Sequence, residues 1–148
     1  MRIVVGSDHA GLSLKRGLVE RMRAQGHEVE DVGTHDNTSC DYPDFAVKVG
    51  EAVRDGRADR GLLCCGTGQG MAMTANRVAG VRAAVCADVF SAHATREHND
   101  ANVLCLGERV VGAGLAGDIV DTFLAAAFEG GRHQRRVDKI TALDGTGA

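Results

Sequence analysis

The sequence predicts a parallel α/β fold, a sheet covered by helices on both faces. Three observations predict it. Short apolar runs alternate along the chain with segments of helical periodicity, the pattern of βαβ units. The runs are apolar throughout rather than alternating with polar residues, as strands buried on both faces must be. One of them, Leu62-Leu63-Cys64-Cys65, passes straight into Gly66-Thr67-Gly68-Gln69-Gly70 and a helix-like segment. That is the strand, tight turn and helix N-terminus of a parallel sheet.

Residues 3–5 read as the first strand, ending in Gly6-Ser7-Asp8-His9. A helix spans 12–25: Leu14, Leu18 and Met22 recur at steps of four, and Gly26 stops it. A short second strand covers 28–32. A helix over 44–55 begins with Asp44 after Pro43, and Phe45, Val49, Ala52 and Val53 share one face. Strand three is 61–65, with a short helix over 69–77 after it. Strand four is 82–87, followed by a helix over 89–96, and strand five is 102–106. A long apolar helix covers 113–128, Gly130-Gly131 breaks it, and 132–143 reads as the last helix. The tail over 144–148 is expected to fray. No linker, repeat or low-complexity tract divides the chain, so 1–148 is expected to form one domain.

A chain of 148 residues, 44% hydrophobic, is long enough to bury its own core. A net charge of −3 argues against a nucleic-acid binder defined by bulk charge. No apolar run approaches the roughly 18 residues of a membrane span. The opening Met1-Arg2-Ile3-Val4-Val5-Gly6 enters a strand without the apolar stretch of a signal peptide. Cys40, Cys64, Cys65, Cys86 and Cys105 are odd in number and include no C-x-x-C pair. They read as reduced thiols of a cytoplasmic protein.

Ligands of such folds bind beyond the carboxyl ends of the strands. Ser7, Asp8 and His9 lie there after strand one, Cys65 to Gly70 after strand three, and Asp88 after strand four. The Gly66 to Gly70 loop turns several backbone N–H groups towards one spot that favours an anion. Alternation puts Cys64 and Cys65 on opposite faces of their strand. Cys64 therefore reads as a small core residue. Cys65 abuts the loop, whose positive end favours a thiolate. The glycines run G-x-G-x-G after strand three, not G-x-G-x-x-G after strand one, so a nicotinamide fingerprint with Asp88 as its ribose acid is a weak match.

Asp8-His9 fits a turn cap or a ligand pair, since a carboxylate accepts sugar hydroxyls and an imidazole meets a phosphate. His98-Asn99-Asp100 follows a helix and precedes strand five. His98 fits proton transfer near neutral pH or a charge complementing a helix C-terminus. Arg132 and Arg136 are four apart on one face, suiting a phosphate or a solvated basic surface. His27, His35 and His93 read as surface or turn residues. No pair has H-x-x-x-H spacing, so no metal site is expected.

Six segments, in this order, resemble the type B ribose-5-phosphate isomerases, grouped with the galactose-6-phosphate isomerase subunits. They are Gly6-Ser7-Asp8-His9-Ala10-Gly11, Asp41-Tyr42-Pro43, Cys65-Gly66-Thr67-Gly68-Gln69-Gly70, His98-Asn99-Asp100-Ala101-Asn102-Val103, Gly107-Glu108-Arg109-Val110-Val111-Gly112 and Glu129-Gly130-Gly131-Arg132-His133-Gln134-Arg135-Arg136-Val137. The resemblance covers essentially the whole chain. It implies a three-layer α/β/α sandwich with a Rossmann-like, five-stranded parallel sheet. It also implies aldose–ketose isomerisation without metal or cofactor in the non-oxidative pentose phosphate pathway. The family forms dimers, in some members paired into tetramers, with the site at the dimer interface.

The same resemblance implies roles for residues of this chain. Cys65 is the base that moves a proton between C2 and C1, and the N–H groups of Gly66, Thr67, Gly68, Gln69 and Gly70 hold the enediolate. His98, helped by Thr67, opens the furanose ring. Asp8 orients sugar oxygens, Tyr42 lines the site and Asn99 binds sugar oxygens. His9, Arg109, Arg132 and Arg136 hold the phosphate, at least one of them from the partner subunit. One branch of the family has a serine for the cysteine and a glutamate further along the loop. This chain has Cys65, and Met71 where that glutamate would fall, so it resembles the cysteine branch. Ribose 5-phosphate is the expected substrate. A six-carbon aldose phosphate, such as allose or galactose 6-phosphate, is the alternative. A non-catalytic phosphosugar-binding module would keep the loop and the arginines but would not need Cys65.

Overall fold

The computed structural model describes residues 1–145 and places five parallel strands and six α-helices among them. In chain order these are β1 (Arg2–Ser7), α1 (Leu12–Ala24), β2 (Glu28–Asp31), α2 (Tyr42–Arg54), β3 (Arg60–Cys65), α3 (Gln69–Ala75), β4 (Ala83–Val85), α4 (Val89–Asn99), β5 (Val103–Gly107), α5 (Ala113–Ala125) and α6 (Arg132–Thr141). The sheet order is β2-β1-β3-β5-β4, and every pairing is parallel. All five carboxyl ends therefore emerge on one edge of the sheet.

Period-two alternation in the strands feeds two separate cores. Val5, Leu62, Cys64, Leu104 and Leu106 pack under α1, α4 and α5, with Met22, Ile119 and Phe123. Val4, Leu63, Cys65, Val103 and Cys105 face the other way, against Ala46, Val49, Met71 and Ala75 of α2 and α3. This is the three-layer sandwich, and it puts the two adjacent cysteines on opposite faces as expected. Among the described residues, no helix is long and apolar enough to cross a membrane.

Several boundaries differ from the sequence reading. The second helix starts at Tyr42, with Pro43 inside its first turn and Asp41 as its N-cap, rather than at Asp44. Proline is tolerated there because the missing N–H had no intrahelical acceptor. The fourth helix runs on to Asn99, so His98 and Asn99 belong to its last turn instead of following it. Asp100 ends it in the left-handed region at φ 47°, held by Arg96 and Arg82 at 2.8 Å each. The fifth helix stops at Ala125, short of Phe128. Tertiary contact overrides propensity there: the Glu129 N–H donates to Glu97 O at 3.1 Å. Positions 146–148 of the expected frayed tail lie outside the described residues, but Asp144 accepts the Gly80 N–H at 2.7 Å and is not free.

Lys15 is buried completely, and its ammonium donates to Asp31 Oδ1 at 2.7 Å and to Thr34 O. Breaking such a pair is costly because an uncompensated buried charge is left. The pair anchors the 31–34 segment, which in turn holds the end of β1: Ser7 N–H donates to Gly33 O at 2.6 Å. Gly11 shows how closely the edge loops pack. A Cβ on it would lie 2.4 Å from the Cys64 carbonyl carbon, against backbone with nothing flexible to yield. Gly11→Ala is expected to destabilise the fold by about 1–3 kcal/mol, read as a lower urea midpoint.

Candidate active site

β3 delivers Cys65 to the carboxyl edge and the chain turns at once. Gly68 takes a left-handed φ of 80°, which a glycine adopts without strain. The turn brings the Gly68 N–H to 3.0 Å from Cys65 Sγ, to which it donates. Ala72 is the first α3 amide with an intrahelical acceptor, Gly68 O at 3.1 Å. The amides of Gly70 and Met71 stand in the first turn, where a helix cannot satisfy its own donors. The Gln69 N–H donates to Thr67 Oγ1 at 3.3 Å, fixing the exposed threonine over the turn.

The loop after β5 is zipped onto this turn. Glu108 N–H donates to Cys65 O at 2.9 Å and Arg109 N–H to Gly66 O at 3.1 Å. A Cβ on Gly66 would lie 3.3 Å from the Arg109 guanidinium. The arginine therefore lies directly over the loop. A Cβ on Gly107 would be 2.7 Å from the Thr67 backbone, so only glycine permits this approach. The Tyr42 ring covers Gly70, since a Cβ there would be 2.6 Å from the ring.

Asp8 and His9 share the same edge. Asp8 Oδ1 accepts the N–H groups of Ala10 at 2.9 Å and Gly11 at 3.1 Å. The cap reading of Asp8 is correct, and the residue still lies 7% exposed at the mouth of the edge. His9 Nδ1 accepts the Cys40 N–H at 3.2 Å. The other ring nitrogen then carries the proton and is a donor. Ser7 ends β1 at that edge, as placed from the sequence, and is buried completely. Asp88 has both oxygens taken by Ser91, at 2.7 Å from N and from Oγ. It is the N-cap of α4, not a ribose acid.

The remaining predicted residues are elsewhere. α4 leaves the carboxyl edge at Asp88 and runs back across the sheet. At 1.5 Å per residue, His98 in its last turn is about 14 Å from its start. His98 and Asn99 are in that last turn. His98 stacks on His133 of α6, ring centroids 4.4 Å apart, and Arg132 and Arg136 belong to the same helix. So one chain holds two groups of candidates. Asp8, His9, Tyr42, Cys65 to Gly70 and Arg109 form one, and His98, Asn99, Arg132 and Arg136 form another at the opposite edge.

Burial separates the thiols. Burial above all, and then Cys65 beside it, pushes Cys64 well above the usual thiol range. Burial raises Cys105 likewise, and holds Cys86 up at about 11. Those three are inert as thiolates near neutral pH. Iodoacetamide at pH 8 is expected to alkylate Cys65 before Cys64, Cys86 and Cys105, with a sugar phosphate protecting it. Peptide mapping after a time course checks this, and equal labelling of all five thiols would count against it.

A sequence profile of the Ribose/Galactose Isomerase family matches residues 3–140. The chain belongs to the ribose/galactose isomerase family. It is 49% identical over 143 residues to ribose-5-phosphate isomerase B of Escherichia coli (strain K12), covering 97% of this chain and 96% of that protein. The solved ribose-5-phosphate isomerase B of Clostridium thermocellum superposes with a TM-score of 0.98 at 55% identity, over 100% of both chains. That of Mycoplasma genitalium, solved with bound ribulose-5-phosphate, superposes with a TM-score of 0.91 at 45% identity, over 95% of this chain and 94% of the other.

The family resemblance and the fold class expected from the sequence are thus borne out. Within this isomerase fold Glu108, given no role from the sequence, accepts the Leu14 N–H on Oε2 at 2.9 Å and ties the Arg109 loop to α1. Its partner lies 94 residues away, so no local spacing points to it. Glu129, likewise quoted in a motif without a role, reaches His133 at 3.4 Å.

Proposed function

We propose that this chain interconverts ribose 5-phosphate and ribulose 5-phosphate through an enediolate, with Cys65 as the base and no metal or cofactor. The observation that carries the reading is Cys65 Sγ receiving the Gly68 N–H at 3.0 Å inside a loop of backbone donors. The bond fixes the sulfur at the mouth of the loop, where a positioned base can reach a proton on the substrate. The loop supplies what the other half of the reaction needs, preorganised N–H groups where oxygen charge develops.

The steps then balance. His98 takes the anomeric hydroxyl proton and returns a proton to the ring oxygen, opening the furanose to the aldehyde. The Cys65 thiolate takes the C2 proton, and the electron pair moves to O1, held by the amides of the Gly66 to Gly70 loop. A proton passes from O2 to O1, and Cys65 returns its proton to C1 as the C2 carbonyl forms. Thr67 supports the ring opening. Asp8, Tyr42 and Asn99 position the sugar. His9, Arg109, Arg132 and Arg136 hold the phosphate, a remote handle whose binding energy orients the reacting carbons.

No single chain brings these residues together, which supports a homodimer with a shared site. Cys65, His9 and Arg109 of one protomer would meet His98, Arg132 and Arg136 of the partner subunit. The exposed apolar residues agree with such an interface. Phe90 at the start of α4 is 78% exposed, Met73 of α3 is 70% and Val110 after β5 is 59%. Pairing of dimers into tetramers is compatible with the same interface. We read the whole chain, 1–148, as one isomerase domain working in the cytoplasm, where its five free thiols stay reduced.

Proton NMR of ribose 5-phosphate in heavy water, with EDTA-treated protein, tests the reading. Ribulose 5-phosphate should appear with deuterium at the reacting carbon. No turnover of it, or faster turnover of allose or galactose 6-phosphate, would overturn the pentose assignment.

A further inference from the structure

At the edge of the sheet away from Cys65, His98 and Glu129 meet His133, and their ligand-type atoms all lie within 4.8 Å of one another. We propose that His98, Glu129 and His133 form a site for a borderline divalent cation such as Ni2+ or Zn2+, and that filling it inhibits the isomerisation by engaging the His98 imidazole. The inhibition rests on the reading of His98 as the ring-opening base; the binding does not.

Two imidazoles and a carboxylate are the donor set such ions prefer, and three protein ligands leave a fourth position open. His133 Nε2 and Glu129 Oε2 are 3.4 Å apart. Ligand atoms around a four-coordinate ion, with bonds of about 2.0–2.2 Å, sit about 3.3–3.6 Å from one another. That pair already has the spacing. The backbone brings the ligands together without an ion. Glu129 N–H donates to Glu97 O at 3.1 Å, one residue before His98. His133 is buried and fixed, whereas His98 is half-buried and Glu129 exposed, so these two are free to turn. His98 must swing out of its stack, where the two rings lie 17° from parallel with centroids 4.4 Å apart.

Burial first, then His98 and Arg132, lower the His133 pKa, which favours the neutral ring that has a lone pair to give. The same neighbourhood limits affinity: the charges of Arg132 and Arg136 oppose a cation. The site is therefore reversible and regulatory in character rather than a structural centre.

Ni2+ is the better probe, since softer thiolates compete for Zn2+. Isothermal titration of the EDTA-stripped full chain with NiCl2 is expected to show one ion per chain. Affinity should be kept in Cys65→Ala and fall at least about tenfold in Glu129→Gln and in His133→Gln. Isomerisation of ribose 5-phosphate should slow at least about tenfold when Ni2+ saturates the parent, and Glu129→Gln should keep its rate at that concentration. Binding unchanged in Glu129→Gln, or lost in Cys65→Ala, overturns the site. Saturation without a fall in rate overturns the inhibition. His98→Asn assayed in EDTA tests the catalytic reading alone: full turnover there removes the ring-opening base and leaves the binding result standing.

Discussion

Cys65→Ala is expected to lower kcat by about a thousandfold or more, within the range a positioned base contributes, with substrate affinity changed only a few-fold. The reason is local. The side chain loses one sulfur at a 6% exposed position at the end of β3, while the Gly66 to Gly70 amides and Arg109 stay zipped by the Glu108 and Arg109 backbone bonds. The fold should persist, since removing one buried heavy atom costs about 1 kcal/mol. Titration calorimetry with ribose 5-phosphate should still show binding, and steady-state rates should collapse. Deuterium incorporation from heavy water should stop as well, because no group is left to take the C2 proton. Turnover within tenfold of the parent would remove Cys65 from the base role and move the reading to another group on the same edge.

Mixing two inactive variants should restore activity. Cys65→Ala and His98→Asn each disable every site when alone. If Cys65 and His98 act together across a two-fold interface, a mixed dimer has one site carrying both substitutions and one carrying neither. Random pairing makes half the dimers mixed, so co-expressed variants should recover about a quarter of the parent rate. The expectation comes from topology. α4 carries His98 about 14 Å back from the carboxyl edge, and a rigid, packed helix cannot return it to Cys65 of its own chain. Differentially tagged chains, purified through both tags, leave mixed dimers alone, and these should recover about half of the parent rate. No recovery in the mixed dimers would mean that each site is built within one chain.

Much of the first group was legible in the sequence because it is local. Cys65, Thr67, Gly68 and Gly70 are consecutive or nearly so, and strand alternation alone separates Cys65 from Cys64. Asp8 and His9 directly follow a strand whose apolar run is unmistakable. Local chemistry also misled. Asp88 sits about where a dinucleotide fold places its acid, but Ser91 three residues on takes both its oxygens. Ser7 looks like an open edge residue, yet pairing of β1 with β3 continues through Ser7 and its side chain is buried completely. Nothing local marks Lys15 as buried, and only Asp31 from the neighbouring strand explains how its charge is accommodated.

The sequence by itself determined the parallel α/β class, the two apolar faces and the strand-to-loop transition at Cys65. Those follow from periodicity and from glycine, which act over a few residues. Only the tertiary structure decided which candidates share a place. His98 and His133 are 35 positions apart in the chain and stack at 4.4 Å, while Cys65 and His98 lie at opposite edges of the sheet. Such distances depend on helix length, helix direction and the strand order β2-β1-β3-β5-β4. Burial of two faces of one sheet selects those globally, and no short window of residues encodes them.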